Sequence, residues 1–465
     1  MENLPDSLIT EILKRIDKTS DRNALSTVSR RLCSVEAEQR DFLRVGCGLH
    51  PATDALTSLC LRFQNLTRVE IVYSGWMSNM GKQLNNQGLI VLSSHCPKLV
   101  DLTLSFCSFI GDIGLGHLAL CEGLASLKLN FLPGISSNGL LSVVTGCKKI
   151  LSLHLNRCMK VSSVEWLEYI GNHGNLESLS IKNCRGLGQD DLVMLGPGWQ
   201  KLKRLEFELD ANYRYWKVYS EWAVSKWKSF GFCCENLMEL ILANCNLDSI
   251  RPLSHVLGMC GELQNLSLDV CIGLEDSHMM ALSQKSFKLR KLSLNLSPRF
   301  MFSMEETCRL TDKGLKELAR GCPMLEEFEL YFTDCKFPSL NCFTQDGILK
   351  LVQGCPIRIL TLNSACFFND TGMDALCSAH FLEVLEIVKC QDVTDQGIQK
   401  VLSFPSLKRL KISKCLGVSD AGLKPLVGTG KLESLIVEDC LLISENGVQN
   451  AARYVSYRQD LSWMY

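Results

Sequence analysis

The stretch SLKRLKISKCLGVSDAGL, residues 406–423, contains the pattern that decides the fold. Its apolar residues begin at Leu407 and follow the frame L-x-x-L-x-L-x-x-C, with Cys415 at the ninth position. The L-x-L alternation predicts a short strand whose apolar side chains share one face. Ser419 and Asp420 then predict a helix start, because a hydroxyl caps free backbone N–H groups and a carboxylate is favourable near the positive end of the helix dipole. Each copy of the pattern therefore predicts one strand followed by one helix.

The same frame recurs along the chain, for example in CPKLVDLTLSFCSFIGDIGL from Cys96 and in KLKRLEFELD from Lys201. One such unit cannot bury its own apolar faces, so the units are expected to stack and share a continuous core. Strands stack about 4.8 Å apart and helices about 8–10 Å apart. We therefore predict an α/β horseshoe with a parallel concave sheet, convex helices and about 14 repeats. The first apolar position of the frame falls at Leu66, Leu99, Leu124, Ile150, Leu176, Leu202, Leu237, Leu263, Leu289, Leu325, Ile357, Leu382, Leu407 and Leu432.

The repeat also accounts for most of the cysteines. Of the 24 in the chain, sixteen occupy or adjoin two slots, the ninth position of the frame and the turn just before it. Metal binding and redox chemistry are one interpretation, but no C-x-x-C pair occurs. Because Cys is small, apolar and readily buried, we predict a stacked ladder of buried thiols. The members are Cys107, Cys158, Cys184, Cys245, Cys271, Cys366, Cys390, Cys415 and Cys440, and Cys96, Cys121, Cys147, Cys234, Cys260, Cys322 and Cys355.

Composition narrows the classes of partner. Lys+Arg 49 against Asp+Glu 50 gives a formal net charge of −1, which offers no electrostatic footprint for nucleic acid or an anionic membrane. The chain begins without a secretory signal pattern, and no apolar run reaches the roughly 18 residues of a membrane helix. We expect a soluble intracellular protein, cytoplasmic or nuclear. Because no catalytic or phosphate-binding motif occurs, we expect neither an enzyme nor a cofactor or metal site.

The first residues lie outside the repeat frame. Pro5 suits a first helical turn, and apolar residues then follow at helical spacing at Leu8, Ile9, Ile12, Leu13 and Ile16. A second apolar pattern covers residues 24–32, and Val35, Phe42 and Leu43 predict a third helix. A segment of this length rarely sustains its own core. Its apolar stripe should therefore dock on a partner or on the first repeat.

The repeats from Leu66 to Gln449 resemble the cysteine-containing class of leucine-rich repeats, and the segments LPDSLITEILKRI and DRNALSTVSRRL resemble an F-box. Ser29 and Leu32 stand where the F-box pattern usually has Cys and Trp. F-box/leucine-rich-repeat proteins have these two parts in this order. The resemblance implies adaptor-facing or packing roles for Leu4, Pro5, Leu8, Ile12, Leu13, Leu25, Val28 and Leu32.

The resemblance also implies a function. Such proteins are substrate receptors of Skp–cullin–F-box (SCF) ubiquitin ligases, in which the F-box binds a Skp-type adaptor and the repeats hold the protein to be ubiquitinated and degraded. The cullin-bound RING protein and its conjugating enzyme perform the chemistry. The expected layout is an F-box-like domain at 1–45, a linker or cap at 46–65, repeats at 66–450 and a C-terminal cap or tail at 451–465. A ligase-independent scaffold or a ligand sensor is the alternative, and a small molecule bridging receptor and target has no support in the sequence.

Charged x positions of the frame are candidates for binding a target. Basic residues precede an acidic group (Glu206, Glu208, Glu239, Asp269), and a second basic group (Lys389, Arg409, Lys411, Lys414) precedes Glu438 and Asp439. Such charges either select a complementary partner or are the ordinary charges of a solvated sheet. The insertion at 210–232 adds aromatic residues that are either partner anchors or part of an extended convex helix. The candidates are Lys128, His154, Arg157, Lys182, Arg204, Tyr213, Trp216, Arg409 and Lys411.

Overall fold

The computed structural model describes residues 4–16, 18–47, 51–73, 83–210, 234–247, 252–296, 310–332 and 344–460. Tyr213, Trp216 and nearly all of the aromatic insertion lie outside the described residues. The described chain forms two compact units. The first holds the described residues up to Leu202 together with Leu209 and Asp210, and the second holds Lys203–Glu208 and the described residues from Cys234 onward.

In the first unit the helices are α1 Asp6–Lys14, α2 Thr19–Ser26, α3 Arg30–Gln39, α4 Ala52–Arg62, α5 Asn86–His95, α6 Asp112–His117, α7 Ser137–Gly146 and α8 Glu165–His173, with 3-10 helices at Leu118–Leu120 and Gln189–Lys201. Its strands are β1 Phe42–Val45, β2 Arg68–Val72, β3 Asp101–Ser105, β4 Ser126–Asn130, β5 Ser152–Asn156 and β6 Ser178–Lys182.

In the second unit the strands are β7 Arg204–Glu208, β8 Glu239–Ala243, β9 Asn265–Asp269, β10 Lys291–Asn295, β11 Glu327–Tyr331, β12 Ile359–Asn363, β13 Val384–Val388, β14 Arg409–Ser413, β15 Ser434–Glu438 and β16 Tyr454–Arg458. Its helices are α9 Pro252–Leu257, α10 Asp276–Lys285, α11 Asp312–Gly321, α12 Gln345–Gly354, α13 Asp370–Ala375, α14 Asp395–Gln399, α15 Asp420–Leu423 and α16 Glu445–Val448, with 3-10 helices at Leu376–Ser378, Lys400–Ser403 and Lys424–Leu426.

Every predicted frame forms a strand. Strands β2 to β15 each begin two residues after the first apolar position of a frame, and within each unit neighbouring strands pair in parallel and in chain order. The register aligns equivalent positions, so that Leu385 of β13 lies beside Leu410 of β14, and Leu410 beside Leu435 of β15. All three leucines are buried. The predicted fold class, an α/β leucine-rich-repeat solenoid with a parallel sheet, is confirmed.

The sheet begins earlier than predicted. A third helix through Phe42 and Leu43 is wrong, because α3 ends at Gln39 and both residues lie in β1. Strand β1 pairs with β2, with Phe42 opposite Arg68. Leu43 and Val45 are buried while Arg44 is exposed, which is the two-residue period of a strand rather than the period of a helix. At the other end, β16 adds a strand beyond the last predicted frame.

Aspartates at the helix starts join each repeat to the next. Asp370 begins α13, and its Oδ2 accepts a hydrogen bond from the Thr394 hydroxyl at 2.6 Å while its Oδ1 accepts from the Thr394 N–H at 2.8 Å. The Gly397 N–H donates to the same Oδ1 at 3.0 Å. A Cβ on Gly397 would lie 2.4 Å from that oxygen, so glycine leaves the room that the carboxylate occupies. The same carboxylate-to-cap pair recurs at Asp112 with Ser136, Asp276 with Thr311, Asp312 with Thr344, Asp395 with Ser419, and Asp420 with Ser444.

The ninth-position cysteines form the predicted ladder of buried thiols, whereas Cys366, one residue off that position, is only partly buried. The Cys390 Sγ lies 3.6 Å from the Leu362 carbonyl oxygen of the preceding repeat, and the Cys415 Sγ lies 3.7 Å from that of Ile387. Each thiol therefore supplies a weak donor to a strand carbonyl in an apolar interior. Burial raises the pKa of the Cys107 and Cys390 thiols to about 12. These cysteines stay protonated at neutral pH and act as packing residues.

Candidate protein-interaction surfaces

The first three helices enclose a small apolar cluster. Ile9 and Leu13 of α1 pack with Leu32 and Val35 of α3, and all four are buried. Leu4, Ile16 and Leu25 pack against the edge of this cluster. Of the eight residues predicted as adaptor-facing or packing, Leu13 and Leu32 are therefore core residues, and Leu4 and Leu25 partly so.

The other four predicted residues are exposed. The side of α1 opposite the cluster shows Leu8, which is 50% exposed, and Ile12, which is 38% exposed. Val28, between α2 and α3, is 71% exposed, and Pro5 is exposed at the start of α1. The apolar stripe of α1 thus has two sides, one that packs inward and one that faces solvent. We call Pro5, Leu8, Ile12 and Val28 the adaptor face.

The two departures from the F-box pattern have clear local roles. Ser29 caps α3, since its hydroxyl accepts a hydrogen bond from the Leu32 N–H at 3.2 Å. Leu32 fills the apolar cluster and is buried. Both residues serve the fold of the helices, and neither belongs to the exposed adaptor face.

A buried carboxylate connects these helices to α4, which precedes the first frame. Glu36 of α3 is fully buried, and its Oε1 lies 2.5 Å from Nη2 of Arg40 and 3.6 Å from Nε of Arg22. Its Oε2 lies 3.5 Å from Nη2 of Arg62, at the end of α4. The Arg40 and Arg62 guanidinium groups also lie 4.7 Å and 4.9 Å from the centre of the Phe63 ring. Salt bridges from the buried Glu36 to the buried Arg40, the partly buried Arg22 and the exposed Arg62 thus connect α2, α3 and α4, together with the cation–π contacts.

This connection was not predicted from the sequence, although one signal was present. Arg40 stands two residues before β1, where each of the fourteen frames has Leu or Ile. A charged residue in a core position requires a buried partner. Glu36, one helical turn earlier, supplies it.

Four predicted target-binding residues lie together on the strand side of the first unit. Lys128 of β4 is directly beside His154 of β5, and Lys182 of β6 is beside Asn156. Arg157 follows β5 in a left-handed conformation with φ 53° and is exposed. The structure thus brings Lys128, His154, Arg157 and Lys182 onto three adjacent strands.

The predicted basic residues of the second unit are largely compensated by acids. Arg204 of β7 lies 3.2 Å from a carboxylate oxygen of Glu239. Lys411 of β14 lies 2.9 Å from Glu438 of β15, and Lys414 lies 3.8 Å from Asp439. Arg409 is exposed at the start of β14. These ion pairs within the sheet leave less positive charge for a partner than the sequence pattern predicts.

Within the described residues, three features bear on small-molecule, metal and membrane binding. A cavity of about 250 Å³ opens beside α7 and α8, lined by Cys147, Tyr169 and His173 among others, whereas ligand pockets usually measure roughly 300–1,000 Å³. In this part of the chain, no three His, Cys, Asp or Glu side chains gather as a metal site would need. None of the helices in the described ranges is long and apolar enough to cross a membrane.

Parallel strands in register, the thiol ladder and the aspartate links together define a leucine-rich-repeat protein. A region of 173 residues is 29% identical to F-box/LRR-repeat protein 4 from Bos taurus, covering 31% of this chain and 25% of that protein. A region of 195 residues is 24% identical to Coronatine-insensitive protein 1 from Arabidopsis thaliana, covering 38% of this chain and 31% of that protein. The chain thus spans a quarter to a third of the length of these curated relatives. The predicted resemblance to F-box/leucine-rich-repeat proteins is confirmed.

The chain was also compared with solved structures and with family models. The solved structure of the Rad7 and Elc1 complex in yeast aligns with a TM-score of 0.44 and 14% identity, over 97% of this chain and 93% of that chain. No family model matches the chain.

Proposed function

We propose that this chain is the substrate-recognition subunit of an SCF-type ubiquitin ligase. In this proposal, the adaptor face binds a Skp-type adaptor and, through it, a cullin–RING complex. The strand side of the repeats holds the protein target. The observation that carries the proposal is the apolar adaptor face on helices whose own core is already filled by Ile9, Leu13, Leu32 and Val35. An apolar face left over after folding is typical of a protein-interaction site.

The proposal assigns no chemical step to this chain. Its contribution is to hold a target lysine near the charged conjugating enzyme, which replaces a bimolecular encounter with an intramolecular one. The buried Glu36 cluster supports this role, since it connects the helices that carry the adaptor face to α4, which precedes the repeats. The layout that goes with the proposal is an F-box-like unit at 1–45, a linker at 46–65, repeats at 66–450 and a terminal cap or tail at 451–465.

The same connection also favours the alternative, in which the helices are only a cap for the repeats and the protein is a scaffold independent of a ligase. Capping elements are required at the ends of repeat arrays. The two functions differ in one respect. A cap needs the buried residues Ile9, Leu13 and Leu32 but not the exposed ones, whereas adaptor binding needs Leu8, Ile12 and Val28.

The test is co-purification of tagged full-length protein from cells, with the adaptor and cullin detected by mass spectrometry. The triple variant L8E/I12E/V28E is expected to lose both while keeping the wild-type melting temperature. The matched control is L61E/I113E/L120E, which places three charges on exposed apolar positions of α4, α6 and the following 3-10 helix. The control should retain the adaptor. Equal adaptor recovery from the triple variant and the wild type would refute the ligase role.

A further inference from the structure

Two exposed aromatic rings lie side by side where β3 and β4 end. Phe106 and Phe131 are each 42% exposed, and their ring centroids are 5.2 Å apart. Both residues have left-handed backbones, with φ 59° and 57°. Bulky residues rarely adopt this conformation because Cβ approaches the following carbonyl oxygen. The chain therefore holds two large apolar side chains in an unfavourable conformation without burying them in the core.

The repeat explains the conformation but not the aromatic residues. At this position the backbone N–H continues the ladder to the next strand, from Phe106 to the Asn130 carbonyl at 2.9 Å and from Phe131 to the Asn156 carbonyl at 2.7 Å. Other repeats also have a positive φ here, so the conformation belongs to the repeat; the residues are Arg157, Asn183, Asn244, Val270, Ser364, Lys389, Lys414 and Asp439. Asn in particular adopts the left-handed region readily. The repeat fixes the backbone but not the type of side chain, and in two neighbouring repeats the side chain is an exposed aromatic ring. A pair of large apolar side chains that stays exposed is a candidate interaction site.

The surroundings of the rings are basic and rich in amides. The three outward positions nearest the end of each strand from β3 to β6 hold twelve residues, and no Asp or Glu is among them. Lys128 and Arg157 form no ion pair among the residues that the structure describes. The twelve are Thr103, Ser105, Phe106, Lys128, Asn130, Phe131, His154, Asn156, Arg157, Ser180, Lys182 and Asn183.

We propose that this aromatic–basic surface of β3 to β6 binds an acidic, extended peptide segment of the target protein. An apolar side chain of the peptide lies on the Phe106 and Phe131 rings. Peptide carboxylates on either side bind the Lys128 ammonium and the Arg157 guanidinium, which is suited to bidentate recognition of carboxylates. This inference deepens the proposed function, because it names the class of target that the receptor recognises.

The dimensions suit a short motif. Four parallel strands about 4.8 Å apart span about 14 Å. An extended chain of about four or five residues covers that distance at roughly 3.3 Å per residue. Single-stranded nucleic acid also stacks on aromatic rings beside basic groups. The net charge of −1 favours a peptide, because nucleic-acid binding depends mainly on an excess of positive charge.

The experiment is a selection of random nonapeptides displayed on phage, using the full-length chain bound to its adaptor, or the full-length chain alone if no adaptor binds. We expect enrichment of peptides with a central aromatic or aliphatic residue between Asp or Glu residues. Synthetic copies of the enriched peptide should bind F106N/F131N and R157E about 10- to 100-fold more weakly by fluorescence anisotropy. The matched controls, F287S and K160E, change an exposed ring and an exposed lysine elsewhere and should bind as the wild type does.

The melting temperature of F106N/F131N shows whether the two rings serve peptide recognition or packing of the fold. Asn suits a left-handed backbone, so F106N/F131N should melt at the wild-type temperature or above it while losing the peptide. A lower melting temperature would show that the rings are structural and would overturn the inference. So would enrichment of neutral or basic peptides, or tighter binding of a 12-nucleotide oligo(dT). The adaptor experiment is independent of these outcomes: peptide binding without an adaptor would refute only the ligase role, and adaptor binding without acidic peptides would refute only this inference.

Discussion

The links between repeats make a quantitative prediction for D370A. This substitution removes the carboxylate that accepts from the Thr394 N–H, the Thr394 hydroxyl and the Gly397 N–H. A hydrogen bond to a charged group contributes about 1.5–3 kcal/mol. Because Asp370 and Thr394 are only partly buried, water replaces some of the lost bonding. We therefore expect a total loss of about 2–4 kcal/mol rather than the full sum.

Hydrogen–deuterium exchange measures this loss where it occurs. Stacked repeats interact mainly with their neighbours, so opening should be local to the broken link. A loss of 2–4 kcal/mol corresponds to exchange about 30- to 900-fold faster. We expect this acceleration in peptides covering α13 and α14, and no change in α7 of the first unit.

The matched control is D374A on the same helix. Among the described residues, Asp374 pairs with Lys400 alone, at 2.7 Å, and both side chains are largely exposed. This variant should exchange as the wild type does. Unchanged protection in D370A, or equal effects of the two variants, would refute the view that the helix-start aspartates hold the repeats together.

Three further predictions follow from buried groups. E36Q should destabilise α2 to α4 by about 3–5 kcal/mol, because it leaves Arg40 with an unpaired buried charge. Thermal unfolding measures this loss, with E38Q as the control variant. Equal melting temperatures of E36Q and E38Q would contradict the prediction. L13A should lower stability by about 2–5 kcal/mol through loss of packing, whereas L8A should melt as the wild type does. A lower melting temperature for L8A than for L13A would show that Leu8 is a core residue and does not belong to the adaptor face. The pKa of Cys107, Cys147 and Cys322 is raised to about 12 by burial. The folded state therefore binds these protons more tightly than the unfolded state, so their contribution to stability should be complete below about pH 9 and should fall between pH 9 and 12. Urea unfolding across this range measures that fall, and Ellman's reagent at pH 8 should modify the exposed Cys47 well before these three thiols; rapid reaction of the buried thiols would contradict their burial.

The strands were predictable from the sequence because their signal is local and repeated. In β14, for example, Leu410 and Ile412 alternate with Lys411 within five residues, and the same alternation recurs in twelve of the fourteen frames, with Ile241 and Ile436 as the exceptions. The burial of the thiols was predictable for the same reason, since their spacing follows the frame.

The features that could not be predicted from the sequence depend on contacts between residues that are distant in the chain. The sequence indicates Asp420 as a helix-start carboxylate, but its partner Ser444 lies 24 residues away. The two sides of α1 could not be separated without α3, whose Leu32 and Val35 cover Ile9 and Leu13 but not Leu8 and Ile12. The sequence predicts a helix in place of strand β1, because the two buried residues of β1 are too few to establish a period.

The exposed ring pair of Phe106 and Phe131 was also not predicted from the sequence. Their frame position points outward, but it looks like an ordinary exposed position until the backbone conformation is known. The left-handed conformation recurs at this position with residues of several types, and Phe106 and Phe131 are the aromatic ones among the described residues that adopt it. Comparing the eighth position across the repeats would not single them out, because the buried Tyr73 and Phe332 occupy it as well.

The central claim is that an exposed face of the first helices binds a Skp-type adaptor. Hydrogen–deuterium exchange on the purified full-length chain, with and without a purified Skp-type adaptor, tests it most directly. We predict slower exchange in α1 and in the segment around Val28, with no change in β13 to β15, and no slowing at all in L8E/I12E/V28E. Absence of binding by the wild-type chain, or protection on the repeats with α1 unchanged, would contradict it.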